Sequence, residues 1–384
     1  MLASESFPSP DSPDARTAMV RKIAGMMIHK AQGRPKRVVF PEGQHEKTIR
    51  ACHILLHYKI ARPILLGSKS MIRSKAAALG IDVSAAQVID PPASPLREAY
   101  THELFRLRQR RGITPSEAES LVRDRNVFGS MMVHMEDADA LVSGVTQHFP
   151  ETIRPALQIV RMREGLHKVS ICYPMIMRNG DLYFLADTSV NIEPTAADLV
   201  EIALCAAEIA RRFEVEPHVA MLSFSSFGST RHPLCEKVRR AAELLHHADP
   251  ALIVDGEVMA DVAVSPEILG ETYPFNRLRG RANVLVFPDL NSANIAYKLL
   301  ATLGEAQTIG PILMGMSKPV HLLPRGASVE EIVRTTAIAV VDAQDNETPS
   351  VDAEMADVSA LGGGDCLASS NADLDAPEYY AVPV

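Results

Sequence analysis

The chain has 384 residues, of which 47% are hydrophobic and 22% are charged, and this composition is typical of a globular protein of about two domains. The net charge is −8, but residues 345–384 hold nine acidic residues and no Lys or Arg, so the rest of the chain is nearly neutral. A general nucleic-acid binder needs a sustained basic face, and the sequence therefore excludes that class.

The cysteines and the hydropathy pattern indicate a cytoplasmic protein without a membrane span. Five cysteines are scattered without a CxxC pair, which suits a reducing compartment better than a disulfide framework or a zinc site. The first residues, MLASESFPSPDSPDAR, lack the apolar core of a signal peptide. No segment approaches the roughly 20 apolar residues that a membrane helix needs.

The first part of the chain alternates between helix and strand patterns. Residues 1–16 are rich in Pro, Ser and Asp and are predicted to be disordered, and a helix is predicted over 17–32. Predicted strands in RVVFPEG, RPILLGS and AQVIDP then alternate with predicted helices in QHEKTIRACHILLHY and SMIRSKAAALG. Helices follow in REAYTHELFRLRQRRG and TPSEAESLVRD, and a strand follows in ADALVSGVTQ. This alternation predicts an α/β fold with mainly parallel sheets.

A change of architecture is predicted near residue 160. Asn179-Gly180 lies between two apolar runs and predicts an antiparallel hairpin. Thr195, with Asp198 three residues later, predicts the capped start of a long helix. Further buried strands are predicted in HVAMLSFSS, ALIVDGE, NVLVFPD and GPILMGM. We expect a first α/β domain of 17–160 plus 307–344, a second of 161–306, a cleft between them, and a disordered acidic tail of 345–384.

The ends of the predicted strands suggest an anion site. They are rich in hydroxyls, glycines and amides, as a phosphate site requires. Residues 321–333, HLLPRGASVEEIV, set Arg325 on a tight corner in front of a capped helix, which predicts that its guanidinium holds an anion. No GxxxxGK[ST], strand-GxGxxG-helix or HExxH pattern is present, so neither a P-loop, nor the usual nicotinamide site, nor a catalytic metal is predicted.

Several blocks, in this order, resemble the phosphate acetyltransferase/butyryltransferase family: ADALVSG, TIRPALQIV, LADTSVNIEPTAADLVEIA, VAMLSFSSFGS, ANVLVFPDLNSANIAYKL and IGPILMGMSKPVHLLPRGASVEEIV. The resemblance covers about residues 17–344. NVFGSMMVHMEDADALVSG and SFSSFGS favour the branch formed by the phosphotransacetylase-like C-terminal domain of bacterial NADP-dependent malic enzymes. The resemblance implies two α/β domains of the phosphotransacetylase-like, isocitrate-dehydrogenase-like kind with a cleft between them, and a cytoplasmic homodimer.

The family's members move an acetyl group between coenzyme A and inorganic phosphate. The resemblance implies that Arg108, Arg154 and Arg325 hold phosphate or acetyl phosphate. Acetyl-CoA would be a substrate, with no metal or further cofactor. The strand ends and matched blocks supply further candidates for substrate binding: Thr146, Ser226, Ser229, Asp289, Asn294 and Lys318.

Two positions depart from the family pattern. The family's serine before the corner arginine is Pro324, which has no hydroxyl and no N–H to donate. The family's aspartate, the proposed base for the CoA thiol, is Glu331. Ser328 and Glu331 also match a capping box, so Glu331 serves either the helix start, the thiol or both.

Three functions remain open from the sequence. The first is acetyl transfer between coenzyme A and phosphate. The second, favoured by Pro324 and by the branch resemblance, is a regulatory module that binds acyl-CoA with little or no turnover. The third is transfer of butyryl or another acyl group, since the sequence does not fix the size of the acyl pocket.

Overall fold

The computed structural model describes residues 15–346, which form two sheets with helices around them. The strands are β1 Arg37–Phe40, β2 Arg62–Leu66, β3 Gln87–Ile89, β4 Ala140–Ser143, β5 Ser170–Ile176, β6 Leu182–Ala186, β7 His218–Leu222, β8 Ile253–Val258, β9 Val284–Val286, β10 Gln307–Thr308, β11 Ile312–Met314 and β12 Val320–Leu322. The helices are α1 Ala15–Gly33, α2 Glu46–His57, α3 Lys69–Ala78, α4 Arg97–Arg108, α5 Pro115–Leu121, α6 Arg125–His134, α7 Phe149–Ile159, α8 Ala196–Arg212, α9 Pro233–Ala248, α10 Ala260–Val264, α11 Pro266–Thr272, α12 Leu290–Thr302 and α13 Val329–Asp345.

The first sheet has five strands in the order β12-β4-β1-β2-β3, and every neighbouring pair is parallel. Its central strands are buried along their length because helices cover both faces. Gly129 of α6 allows one of these close contacts, since a Cβ there would lie 3.2 Å from Leu141 Cδ1. The parallel order brings the carboxyl ends of β12, β4 and β1 side by side.

The second sheet is mixed, with the order β10-β5-β6-β9-β7-β8 and with β11 also on β5. The predicted hairpin is confirmed, since β5 and β6 pair antiparallel across Asn179-Gly180. The pairs β6–β9, β9–β7 and β7–β8 are parallel. The mainly parallel α/β fold predicted from the sequence is therefore confirmed.

Helix α8 forms as its sequence predicts. Thr195 Oγ1 accepts from Asp198 N at 3.2 Å, and the Asp198 carboxylate accepts from Thr195 N at 2.9 Å. The apolar stripe that includes Leu199, Ile202 and Phe213 is buried. Burying this stripe stabilises the helix against the second sheet.

Ion pairs join α8 to α13 across the two sheets. Arg212 at the end of α8 contacts Asp342 Oδ1 and Asp345 Oδ2, both at 3.0 Å. His321 of β12 lies 3.0 Å from the other Asp342 oxygen and is almost fully buried. Burial raises the pKa of Asp342, but the Arg212 charge and the His321 contact outweigh it and hold that pKa below its usual value.

Some predicted boundaries differ from the structure. Helix α1 starts at Ala15, so the last two residues of the predicted disordered segment are helical, and Asp345 of the predicted tail belongs to α13. Residues 307–308 and 312–314, predicted in the first domain, pair with β5 of the second sheet, and pairing between segments so far apart in the chain leaves no local sequence signal. The division into two domains otherwise stays a prediction, and the predicted segments 1–14 and 347–384 lie outside the described residues.

The described part of the chain contains neither a membrane-spanning helix nor a cluster of metal-binding side chains. None of the helices within residues 15–346 is long and apolar enough to cross a membrane. Within the same range, no group of three or more His, Cys, Asp and Glu side chains is arranged to hold a metal ion.

Candidate active site

Arg325 lies on the tight turn that follows β12. Ala327 N donates to Pro324 O at 3.0 Å and closes the turn. Gly326 has a φ of +80°, the left-handed value that the third residue of a type II turn requires and that glycine adopts most easily. Pro324, Arg325 and Gly326 are all exposed, so the turn holds the guanidinium on the surface at the carboxyl edge of the first sheet.

The loop after β4 is fastened to this turn. Leu323 N donates to Ser143 O and Gly326 N donates to Val145 O, both at 2.8 Å. The loops approach so closely that a Cβ on Gly144 would lie 2.3 Å from Leu323 O. Because the backbone of both loops is fixed in this way, the position of Arg325 relative to the start of α7 is set by the fold.

Glu42, in the loop after β1, holds the same segment from the other side. Its Oε2 accepts from Gly144 N at 2.9 Å and from Val145 N at 2.7 Å, and Oε1 accepts from Thr146 N and Thr146 Oγ1. The carboxylate is 8% exposed. Three backbone N–H groups that converge on one carboxylate form an anion nest, and here the protein's own side chain fills it. The predicted ligand residue Thr146 therefore uses both its N–H and its hydroxyl on Glu42.

Helix α7 brings two basic side chains to this edge. His148 stands at its N-cap position, and its Nε2 lies 3.3 Å from Arg325 Nη1. Arg154 lies six residues further on, about 9 Å along the axis, and is exposed. Side chains on a helix lean towards its N-terminus, so Arg154 leans back towards the His148 end. Arg325 and Arg154 thus lie on neighbouring segments, and their meeting at one phosphate stays a prediction.

The arginine cluster at the end of α4 has one inward member. Arg106, Arg110 and Arg111 are exposed, whereas Arg108 is half-buried. Helix α4 packs against α7, the helix that carries Arg154. That Arg108 reaches the phosphate stays a prediction.

Glu331 forms the predicted capping box of α13. Its Oε2 accepts from Ser328 N at 2.7 Å, and Glu331 N donates to Ser328 Oγ at 3.1 Å. The carboxylate is therefore held over the first turn of the helix, four residues beyond the end of the Arg325 turn. The helix-capping role is confirmed by these contacts, and the role towards a thiol stays a prediction.

The serine loop after β7 is organised around a buried carboxylate. Glu257 is fully buried, accepts from Gly228 N at 2.8 Å and from Ser225 Oγ at 3.0 Å, and pairs with Arg239. Burial raises the pKa of Glu257, but the hydrogen bonds from Arg239, Gly228 and Ser225 outweigh it and leave that pKa below its usual value.

Of the two predicted ligand serines in this loop, one points inward. Ser226 is 2% exposed, and its Oγ accepts from Met259 N at 3.0 Å. Ser229 is exposed, and its Oγ accepts from Ser226 N at 3.1 Å. The buried hydroxyl of Ser226 fixes the loop, so of the two only Ser229 lies at the surface.

Asp289 and Asn294 lie at the carboxyl edge of the second sheet. Asp289 caps α12 by accepting from Ser292 N at 2.8 Å, and Asn294 Nδ2 donates to Thr188 O, beyond β6, at 3.2 Å. Both side chains hold the local backbone. Their predicted contact with substrate stays a prediction.

Lys318 does not join the Arg325 edge. It precedes β12, whereas Arg325 follows that strand, so the two lie at opposite ends of it. The Lys318 ammonium pairs instead with Glu136 Oε1 at 2.6 Å, near the amino end of β4. The sequence analysis placed Lys318 at the end of strand β11 and therefore expected it at the same sheet edge as Arg325, because β12 was not recognised as a strand.

Two residues of this site were missed from the sequence. Glu42 had a sequence signal, since it is the acidic residue near the end of the predicted strand segment RVVFPEG. His148 carries none, because its contact with Arg325 joins residues 177 positions apart.

The structure is that of an α/β protein with Arg325 and His148 in contact at the carboxyl edge of a parallel sheet, which is a usual place for an anion. Residues 23–340 match the family model described as Phosphate acetyl/butaryl transferase, and the chain belongs to that family.

Three known proteins show how similar the chain is to its relatives. A phosphate acetyltransferase of Thermoanaerobacterium thermosaccharolyticum is 40% identical over 328 residues, covering 84% of this chain and 99% of the relative. An NADP-dependent malic enzyme of Escherichia coli is 38% identical over 323 residues, covering 83% of this chain but 42% of that enzyme. A solved phosphotransacetylase of Streptococcus pyogenes matches with a TM-score of 0.82 and 37% identity, covering 85% of this chain and 99% of that one.

Proposed function

We propose that this protein transfers an acetyl group between coenzyme A and inorganic phosphate. The observation that carries the proposal is the pair of fastened loops that sets Arg325 against the first turn of α7, the helix of Arg154. Guanidinium groups stay charged and present paired N–H donors that match phosphate oxygens. The relatives named as phosphate acetyltransferases support the same reaction.

In the proposed reaction the CoA sulfur attacks the acetyl carbonyl of acetyl phosphate. The new C–S bond forms, the C–O bond to phosphate breaks, and phosphate leaves with the electron pair of that bond. The thiol proton passes to Glu331, and the arginines neutralise the charge that collects on phosphate. Most of the rate gain comes from holding two substrates together, and neither a metal nor a covalent enzyme intermediate takes part.

The test is formation of acetyl phosphate and free CoA thiol from acetyl-CoA and phosphate, with CoA binding followed by calorimetry. We expect thiol release that depends on both phosphate and protein. Binding of CoA without any turnover at high protein concentration would exclude the proposed reaction.

A second candidate is an acyl-CoA-binding regulatory module, and Pro324 favours it. If the family's serine donates a hydrogen bond to the developing oxyanion, its loss costs about 10²–10³ in rate. Pro324→Ser would then restore part of that factor, and a rate at or below that of the unsubstituted protein would count against the serine's role. Comparing acetyl-CoA with butyryl-CoA in the same assay tests phosphate butyryltransferase activity.

We further propose a cytoplasmic homodimer. Helix α12 carries Ile295 and Leu299, and Leu303 follows at its C-cap position, at four-residue spacing and with 58%, 51% and 77% of each residue exposed. This exposed apolar ridge lies on one face of the helix, and a two-fold axis would set it against its own copy. The mass in solution, measured by light scattering, tests this assembly.

A further inference from the structure

The contact between Arg325 and His148 restricts the charge of the histidine. Arg325 Nη1 lies 3.3 Å from His148 Nε2. A guanidinium is always protonated and only donates hydrogen bonds, so Nε2 must be the acceptor. The Nε2 atom that accepts this bond therefore carries no proton in this arrangement.

A bound anion would change which protonation state of His148 is favoured. A protonated imidazole beside the Arg325 guanidinium is repelled at this distance, but a phosphate oxygen that lies between them attracts both. The arrangement is fixed, because two backbone hydrogen bonds of 2.8 Å fasten the Arg325 turn to the loop that leads into His148. His148 also stands at the N-cap position of an 11-residue helix, whose dipole favours negative charge at that end.

We propose that His148 is a phosphate-binding residue, and that it takes up a proton as the anion binds beside Arg325. This deepens the proposed function, since the anion is phosphate or the phosphoryl group of acetyl phosphate. When empty, the site holds a neutral imidazole that orients the guanidinium. When occupied, it holds two cations on one tetrahedral anion.

The charged groups around His148 permit this change. On its own helix, Glu151 Oε2 accepts from His148 N at 3.3 Å. Glu42, from the loop after β1, is already hydrogen-bonded to three backbone N–H groups and a hydroxyl of the same loop. Lys47 of α2 contacts Gly326 O in the Arg325 turn.

Helices α6 and α4 also pack on α7, and α6 begins with exposed Asp124 at its N-cap position and exposed Arg125 in its first turn. Helix α6 faces the loop with the uncharged Asn126, whose Nδ2 donates to Gln147 Oε1. Helix α4 carries Arg108 in its last turn. Among these groups the Arg325 guanidinium, which contacts the ring, opposes a proton on His148, and an anion between the two would offset that repulsion.

The experiment is calorimetric titration of the full chain with sulfate, which stays dianionic between about pH 5 and 8, where histidine titrates. We expect sulfate affinity to rise by up to about tenfold for each pH unit lowered within that range, the limit set by uptake of one proton. His148→Gln keeps a side-chain oxygen that can accept from Arg325 but cannot take up a proton, and should abolish the slope. His247→Gln, on an exposed position of α9, is the matched control and should keep it.

Proton uptake by the unsubstituted protein gives a second measurement that needs no variant. Titrations in buffers of different ionisation enthalpy should show close to one proton taken up per sulfate near neutral pH. Equal pH slopes in the unsubstituted protein and His148→Gln, no proton uptake, or no sulfate binding would each overturn the proposal.

The outcome for His148 can be told apart from the outcome for the reaction. Proton-linked sulfate binding without acetyl transfer would support His148 as an anion ligand while the proposed function fails. Acetyl transfer with a pH-independent anion affinity would support the reaction and overturn the role of His148.

Discussion

The two roles of Glu331 can be separated by two substitutions. Its Oε2 accepts from Ser328 N at 2.7 Å, which is a contact that a glutamine amide oxygen also makes in a capping box. Glu331→Gln therefore keeps the start of α13 but removes the carboxylate that would take the thiol proton. Glu331→Ala removes both the carboxylate and the contact with Ser328 N.

The expected magnitudes differ between the two measurements. A general base contributes about 10²–10⁴ in rate, so we expect kcat for acetyl transfer to fall by that factor in both variants. Loss of the Glu331 contact with Ser328 N costs about 0.5–1.5 kcal/mol, so the free energy of unfolding should fall by that amount only in Glu331→Ala. Thiol release measures the first quantity and urea unfolding measures the second.

The Glu331→Gln variant distinguishes the helix-capping role from the role as a base. If it retains the turnover of the unsubstituted protein, Glu331 acts only as a helix cap and the reasoning about the base is wrong. If it loses stability to the same extent as Glu331→Ala, the amide does not replace the carboxylate at Ser328, and the separation of roles fails.

Three further predictions address the anion site, acid stability and assembly. Arg325→Ala should weaken inhibition by phosphate about 10- to 100-fold, because it removes a charged hydrogen bond worth roughly 1.5–3 kcal/mol. The control Arg110→Ala, at an exposed position, should leave the inhibition unchanged. Equal effects of the two substitutions would contradict the prediction. Asp342 has a lowered pKa because the Arg212 charge outweighs its burial, so its stabilising contribution is present at neutral pH and is lost as the pH falls through that pKa. Asp342→Asn should therefore be less stable at pH 7 and lose less stability on acidification, and parallel stability curves would be the contrary result. Leu299→Glu should convert the proposed dimer to monomer in light scattering, and an unchanged mass would remove α12 from the interface.

Much of the fold was predictable because its signals are local. Buried apolar runs gave the central strands, Asn179-Gly180 gave the hairpin, and two capping boxes gave the starts of α8 and α13. Helix α7 was missed because Pro150 and Pro155 suggest a break. The structure tolerates them because Pro150 occupies the first turn, where N–H groups have no partner within the helix, and because Ile153 and Leu157 are buried.

The candidate site was only partly predictable for a different reason. A sequence shows which residues follow a strand, but not which of them already have partners inside the protein. Thr146 and Ser226 looked like ligands, yet their hydroxyls bind Glu42 and Met259 N. Lys318 and Arg325 are seven residues apart and still lie at opposite ends of β12, because a short strand separates them.

The most direct test of the proposed reaction is exchange of labelled phosphate into acetyl phosphate in the presence of coenzyme A. Exchange that requires both the protein and coenzyme A, and that falls strongly in Arg325→Ala, is the expected result. If labelled phosphate does not enter acetyl phosphate even though the protein binds acetyl-CoA, the site binds acetyl-CoA without catalysing acetyl transfer.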